Sequence, residues 1–597
     1  MDTYSAKPKL VFFQFKYDPS LPAFLSLHAR EHAKCLSHFF DVTVINQDCD
    51  YLEICDRYTP DLVMFESGVP FASCRKPKIK NVRSNTQIPK AALLNADPFG
   101  EGRAGFLADI DHWGIETVFS IATTAAQHMP DLAKNLFIWP NFVDAEVYHD
   151  YGQEKTVPVL FTGNKNGLYP WRQSISRIVS EQYPSVMCAH PGYGPLRGTK
   201  QPATGEAYAR MLNSALFVPA CGSVTNEVVR KHFEVPGSRS CLVTQRSEAL
   251  EAAGFRDMVN CVFAEEHDVL DKLSYLFEHR EELKAITSSG YELVHSRHTT
   301  RHRDQVLQWF MLQKQLSPGC KIVQTDPFGK LEIVGAADAR QNFTTGPVAG
   351  SLVSLLEQGD DQLNRGMYDA AEVSYLKCLS HYRWMPEAQL KLALCKLYKG
   401  DSKSALSWIT KPIQFTLAEY KSPEPDPVEW AYFIVTLLCL GRTREALKRA
   451  GQFHWLRHPD LDRARGLAEW VSFGTTGPLA AAGVRRSVHR LPEVELADWV
   501  HQVELMLNAC GESELARKAA GMSAAQQVTE GLPTDEKNGI RRRKSGDGAR
   551  EFRRKYLFEQ IRQAVKRPLR KIRHHARAKY ESVKPGFLTQ IMFRSQQ

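Results

Sequence analysis

CGSVTNEVVRKHFEVPGSRSCLVT, residues 221–244, is the stretch on which the reading of this chain turns. The apolar run ALFVPA (residues 215–220) leads into Gly222 and Ser223, and CLVT follows Pro236 and Gly237. This order predicts strand, turn, helix, turn, strand, with Thr225 or Asn226 placed to cap the helix. A helix that starts at a strand's C-terminal end aims its unpaired N–H groups at the crevice where open α/β sheets bind ligands. Arg230 and Glu234 then fall one turn apart on one face, with Lys231 beside them. Two cations suit a diphosphate, and a carboxylate can accept hydrogen bonds from a ribose diol. The same residues also suit a surface helix carrying an ordinary i,i+4 Arg–Glu pair.

Outward from this stretch the chain alternates strand-like and helix-like segments. Residues 9–15 (KLVFFQF) read as a buried first strand, and residues 21–40 carry apolar residues at helical spacing. DVTVI (41–45), DLVMFES (61–67), AALLNADPFG, ETVFSIA and LFIWPN continue the cadence through the first half. PVLFTGN (158–164), YPWRQSISRIVSEQY and VMCAH open a second series. Such alternation predicts doubly wound parallel sheets. Gly163 would let the backbone approach a phosphate, with Lys165 and Arg172 within reach of its oxygens, although a surface turn fits equally. Asp97 in NADPFG is the acidic catalytic candidate of the first half, against an Asp-Pro turn. His112 and His190 are lesser candidates, each also readable as a loop residue.

Four segments in order resemble the GT-B glycosyltransferases, especially their CgeB-like branch. They are WPNFVDAEVY (139–148), PVLFTGN, the quoted stretch with Arg230, Lys231, Phe233 and Glu234, and residues 260–310, closing on His298, Thr299 and Arg303. The resemblance implies two facing Rossmann-like domains. It also implies a hexosyltransferase that retains configuration, takes a UDP-, GDP- or similar nucleotide sugar, and needs no metal or cofactor. Its donor site would comprise Gly163, Lys165, Arg172, Asn226, Arg230, Lys231 and Glu234. Many retaining members carry two Glu eight positions apart, and counting back from Glu234 gives Asn226.

Beyond residue 350 the period changes. RGMYDAAEVSYLKCL and KGDSKSALSWI superpose at a shift of 34, matching Gly366 with Gly400 and Ala371 with Ala405; Gly441 and Ala446 repeat the offset. This resembles tetratricopeptide repeats, arrays that more often bind proteins than perform chemistry, although a non-repeat bundle would also fit. The expected organisation is α/β, two facing domains (1–150 acceptor-side, 151–316 nucleotide-sugar), then a linker (317–350). An all-α repeat array (351–525) and a disordered linker with a basic amphipathic tail (526–597) complete it.

The 597 residues are 43% hydrophobic and 24% charged, as in a soluble globular protein. Thirteen scattered Cys without a CxxC pair fit a reducing cytosol rather than a disulfide framework or zinc site. AYFIVTLLCL (431–440) is too short to span a bilayer and reads as a buried helix. The net charge of +9 belongs to the tail, where residues 541–580 hold sixteen Lys or Arg against three Asp or Glu. A basic helix on the inner face of an anionic membrane is the sharper reading of that tail, and a solvated tail the plainer one. Nucleic acid is disfavoured, because no nucleic-acid-binding fold accompanies the charge. The acceptor (glycan, lipid or protein) stays open. The rival function is an inactive GT-B fold serving as a scaffold through its repeats.

Overall fold

The computed structural model describes residues 6–67, 74–196, 201–336, 350–476 and 484–530. Met1–Ser523 forms one compact unit and Ala524–Gln597 a second. The expected disordered segment and basic tail lie outside the described residues.

The first lobe is a six-stranded parallel sheet of β1 (Lys9–Phe13), β2 (Asp41–Ile45), β3 (Leu62–Glu66), β4 (Lys90–Leu94), β5 (Thr117–Ser120) and β6 (Leu136–Ile138). Its order is β6-β5-β4-β3-β1-β2. Helices cover both faces, which is why β1 and β3 read as unbroken apolar runs. The second lobe is a five-stranded parallel sheet of β7 (Val157–Phe161), β8 (Ser185–Met187), β9 (Ala215–Ala220), β10 (Cys241–Thr244) and β11 (Val262–Phe263), in the order β8-β7-β9-β10-β11. Each order reverses beside its first strand. Between β1 and β3, and between β7 and β9, neighbouring connections leave to opposite sides and open a crevice at the strands' C-terminal ends.

The chain crosses between the lobes twice, and the crossings are stitched together. Val143 N donates to His298 O at 3.0 Å, and Thr300 N to Val143 O at 3.0 Å. Buried Arg303 spans both passages, donating to Pro140 O and Asn141 O and lying 2.9 Å from His298 Nδ1.

Residues 305–335 return to the first lobe, which corrects the expected boundary at 316 and the linker beyond it. Trp309 and Phe310 of the helix Gln305–Gln313 pack with Leu10, Phe12 and Met64. The antiparallel hairpin β12 (Cys320–Gln324) and β13 (Leu331–Gly335) joins them. Gln324 both accepts from Ile138 N (2.7 Å) and donates to Ile138 O (3.1 Å), extending the lobe past β6. The Pro and Gly of TDPFG, read as linker punctuation, instead turn this hairpin.

From Ser351 to Glu530 the described chain is predominantly helical. Gly366, Gly400, Gly441 and Gly511 each occupy the left-handed region (φ +72°, +79°, +68° and +85°) between consecutive helices. Five positions after each stands a buried alanine: Ala371, Ala405, Ala446 and Ala516. The fourth Gly–Ala pair adds to the three expected from sequence. The residues of AYFIVTLLCL lie mainly in the fully buried helix Pro427–Leu438. Among the described residues no helix is long and apolar enough to cross a membrane.

This array is built into the first lobe. Arg103, wholly buried on the helix Arg103–Trp113, makes a bidentate pair with Glu387 at 2.7 and 2.9 Å. The Tyr420 ring fills the place where a side chain at position 105 would be, and its hydroxyl donates to Asp109 at 3.0 Å. The array also meets the second lobe: His381 Nδ1 lies 2.9 Å from Gly167 O, and Gly350 presses on the Val224 backbone.

Candidate active site

The quoted stretch folds differently from its reading. Ser223–Thr225 forms a single 3-10 turn closed by Asn226 at φ +55°, and the helix, here α1, runs only over Lys231–Gly237. Neither Thr225 nor Asn226 caps it: Thr225 Oγ1 pairs with Ser223 Oγ, and the residue at the cap position is Arg230. Pro236 and Gly237 belong to the helix rather than to the following turn. Gly237 is small where Tyr148, Val143 and Val294 close in at 3.4–3.7 Å.

At the switch point of the second sheet, between the ends of β7 and β9, three predicted residues meet. Gly163 follows β7 at φ +88°, and a Cβ there would lie 1.9 Å from Lys231 Nζ and 2.9 Å from Arg172 Nη1. Arg172 is buried, bonded to Asn164 O (2.8 Å) and Cys221 O (3.2 Å), and its guanidinium lies 4.3 Å from the Tyr169 ring. Its Nε has no partner. Among the described residues neither Lys231 nor Arg172 forms an ion pair. Burial and the Arg172 charge pull the Lys231 ammonium down to about 7. Lys165 stays outside the cluster, exposed, with Nζ near Met187 Sδ at 3.3 Å.

Arg230 does not join the cations. It reaches across the cleft to Glu31 on the first lobe's helix Ala23–Ser37, with Phe142 5.3 Å from its guanidinium. Neither it nor Glu234 is the exposed i,i+4 partner that a surface helix would show. Glu234 is buried, accepts from Tyr148 Oη at 3.2 Å, and is raised to about 7 by burial, with Glu31 adding and Arg230 and Lys231 opposing.

The first lobe supplies groups that the sequence reading passed over. His32 Nδ1 lies 2.6 Å from Glu66 Oε1, which also accepts from Asn95 Nδ2 at 2.8 Å, at the switch point of the first sheet. His28, Glu31 and His32 share one helix; their signal was polar groups at i, i+3 and i+4 within an apolar pattern. Glu227, seven positions before Glu234, is the other omission. It accepts from Thr123 N, Thr123 Oγ1 and Thr124 N at 2.5–3.0 Å, a cross-lobe clamp that burial raises to about 7. Among the described residues no group of three or more His, Cys, Asp or Glu could hold a metal ion.

Asp97 stands after β4, where the helical array reaches the cleft: Tyr382 Oη donates to it at 3.4 Å. Its carboxyl is exposed, yet the surrounding walls raise its pKa while the Tyr382 hydroxyl lowers it. His190 sits at the opposite rim with its ring tilted against Phe24 at 5.5 Å, and is held down to about 4 by burial, Lys231 and Arg172. His112 is a helix residue remote from this cluster, beside Asp109 and Arg485.

Residues 168–308 match the family model described as glycosyl transferase-like. Among solved structures, a glycosyltransferase from Rickettsia africae is similar at 12% identity and TM-score 0.37, over 52% of this chain and 100% of its own. The sucrose-phosphate synthase of Thermosynechococcus elongatus is similar at 8% identity and TM-score 0.35, over 52% and 99%. Anabaena HepE in complex with UDP-glucose is similar at 11% and 0.35, over 52% and 100%. No curated protein matches the chain significantly.

Proposed function

We propose that this protein is a glycosyltransferase that moves a sugar from a nucleotide diphosphate donor to an acceptor in the cleft, without a metal ion. The observation carrying the reading is the pair Lys231 and Arg172, two cations at the crest of the second sheet, neither of them in an ion pair among the described residues. A diphosphate supplies that missing charge, and as the sugar leaves, the developing charge falls between groups already in position. Glu234, on the same helix, is the acceptor for a ribose diol. The glycosyl transferase-like match over residues 168–308 covers this whole constellation. Asp97 is the candidate base for the acceptor. A hexose donor and retention of configuration are what the family resemblance adds, and the anomeric coupling constant of the product checks the latter.

The experiment is a thermal-shift panel of UDP, GDP and ADP with their sugars, on the full chain and on Lys231→Met. A donor that binds the folded state raises its melting temperature by mass action. One member should stabilise the unaltered protein and lose that effect in the variant. Equal stabilisation of both proteins would remove Lys231 from the site and the reading with it.

A further inference from the structure

The cross-lobe contact between Arg230 and Glu31 leaves both partners half-used. Arg230 Nη1 bonds Glu31 Oε2, while Arg230 Nη2 and Glu31 Oε1 are buried with no hydrogen-bond partner among the described residues. The Glu31 side chain is only 4% exposed and that of Arg230 only 11%. Buried donors and acceptors are rarely left unmade, because each then forfeits its hydration without replacement. Nearby side chains do not serve these two atoms: Tyr148 gives its hydroxyl to Glu234, and Phe142 offers the guanidinium only a ring.

One missing donor and one missing acceptor, on two side chains already bonded to each other, define the complement. A hydroxyl accepts from a guanidinium through its lone pairs and donates its proton to a carboxylate, so a single alcohol satisfies both. The pair is also close to the cation site, since Glu234 feels the charges of Arg230, Glu31 and Lys231 together.

We infer that Glu31 and Arg230 jointly hold one hydroxyl of the bound donor, either on the ribose or on the transferred sugar. This rests on the donor reading above and assigns the first lobe a share in choosing the donor. No covalent step is involved: Glu31 and Arg230 are specificity-determining residues.

The test compares, on the full chain, the affinities of UDP and GDP, their 2′-deoxy forms, UDP-glucose and GDP-mannose, measured by calorimetry. In the unaltered protein, ribose should bind better than deoxyribose, or the nucleotide sugar better than the nucleotide, by on the order of tenfold. Glu31→Gln should erase one of these two differences while leaving binding of the less favoured partner in that comparison intact. Loss of the ribose difference identifies the ribose hydroxyl, and loss of the sugar difference identifies the sugar. Glu31→Asp, which keeps the charge but retracts it by one methylene, carries the same expectation should the glutamine variant fail to fold. Both differences surviving in these variants, or neither being present in the unaltered protein, overturns the inference. If no nucleotide in the panel binds at all, the donor reading itself fails.

Discussion

Lys231 is held against the Gly163 backbone with Arg172 as its neighbour, and its ammonium is therefore easy to discharge. Removing it as Lys231→Met should weaken donor binding by about 1.5–3 kcal/mol, the usual worth of a hydrogen bond to a charged group, or roughly ten- to a hundredfold in Kd. Its titration makes a second expectation. A bound diphosphate favours protonated Lys231, so binding takes up a proton once the pH exceeds the free protein's value of about 7. Affinity for a nucleotide sugar should accordingly be constant on the acid side and fall as pH rises through 7, as calorimetry across pH 6–9 would reveal. A profile rising with pH would contradict the assignment of Lys231 to the diphosphate. Gly163, Arg172 and Lys231 were legible because they lie in the segments that leave the C-terminal ends of β7 and β9, Gly163 in the turn and the two cations in the helices that follow. Glu31 was less so: the polar groups at i, i+3 and i+4 in LHAREHA interrupt an apolar pattern, but that spacing alone does not separate a ligand-facing acid from a solvated one. Arg230 was misjudged for a related reason. Adjacent helix positions point about 100° apart, so two neighbouring cations need not meet the same chemical group.

At the scale of elements, the turn after β7 and the short α1 act together. Gly163→Ala would strain a left-handed position and thrust a methyl into the Lys231 amine, the mobile end of a long side chain. The fold should persist at a cost of about 1–3 kcal/mol. Donor binding should suffer as in Lys231→Met, and a denaturation curve beside a binding isotherm distinguishes the two effects. In the helical array the Gly–Ala offset marks where helices approach most closely. Ala405 is fully buried there, and Ala405→Leu should lower stability by about 1–3 kcal/mol through overpacking, read as a shifted urea midpoint. The parallel sheets were evident from continuous apolar runs, and the helical pairs from that same offset. The start of α1 and the hairpin β12–β13 were not. Asn226 looks like a cap but adopts a left-handed turn, and two five-residue strands joined by the six residues TDPFGK (325–330) carry the same punctuation as a linker.

At the scale of the molecule, the array and the first lobe share a core. Glu387→Ala would strand the buried Arg103 guanidinium, and breaking such a pair costs about 3–5 kcal/mol. The variant should unfold at markedly lower denaturant while leaving the Lys231–Arg172 site chemically intact. Cutting the chain after residue 350 should be worse still, giving insoluble or unfolded lobes rather than a working catalytic half, which gel filtration would expose. Nothing in the period of the repeats announced this dependence: the partners lie 284 residues apart, and pairing over such a separation leaves no local trace.

The same attachment bears on motion. Two jaws joined by a double crossing could pivot freely, but here a third body is fastened to one by a buried ion pair and an inserted tyrosine. It leans on the other through His381 and the backbone of Val224. Any wide gape must break that lighter second fastening together with the direct bonds of Glu227 to Thr123 and Thr124 and of Arg230 to Glu31, so the helical brace adds its own limit to the travel of the jaws.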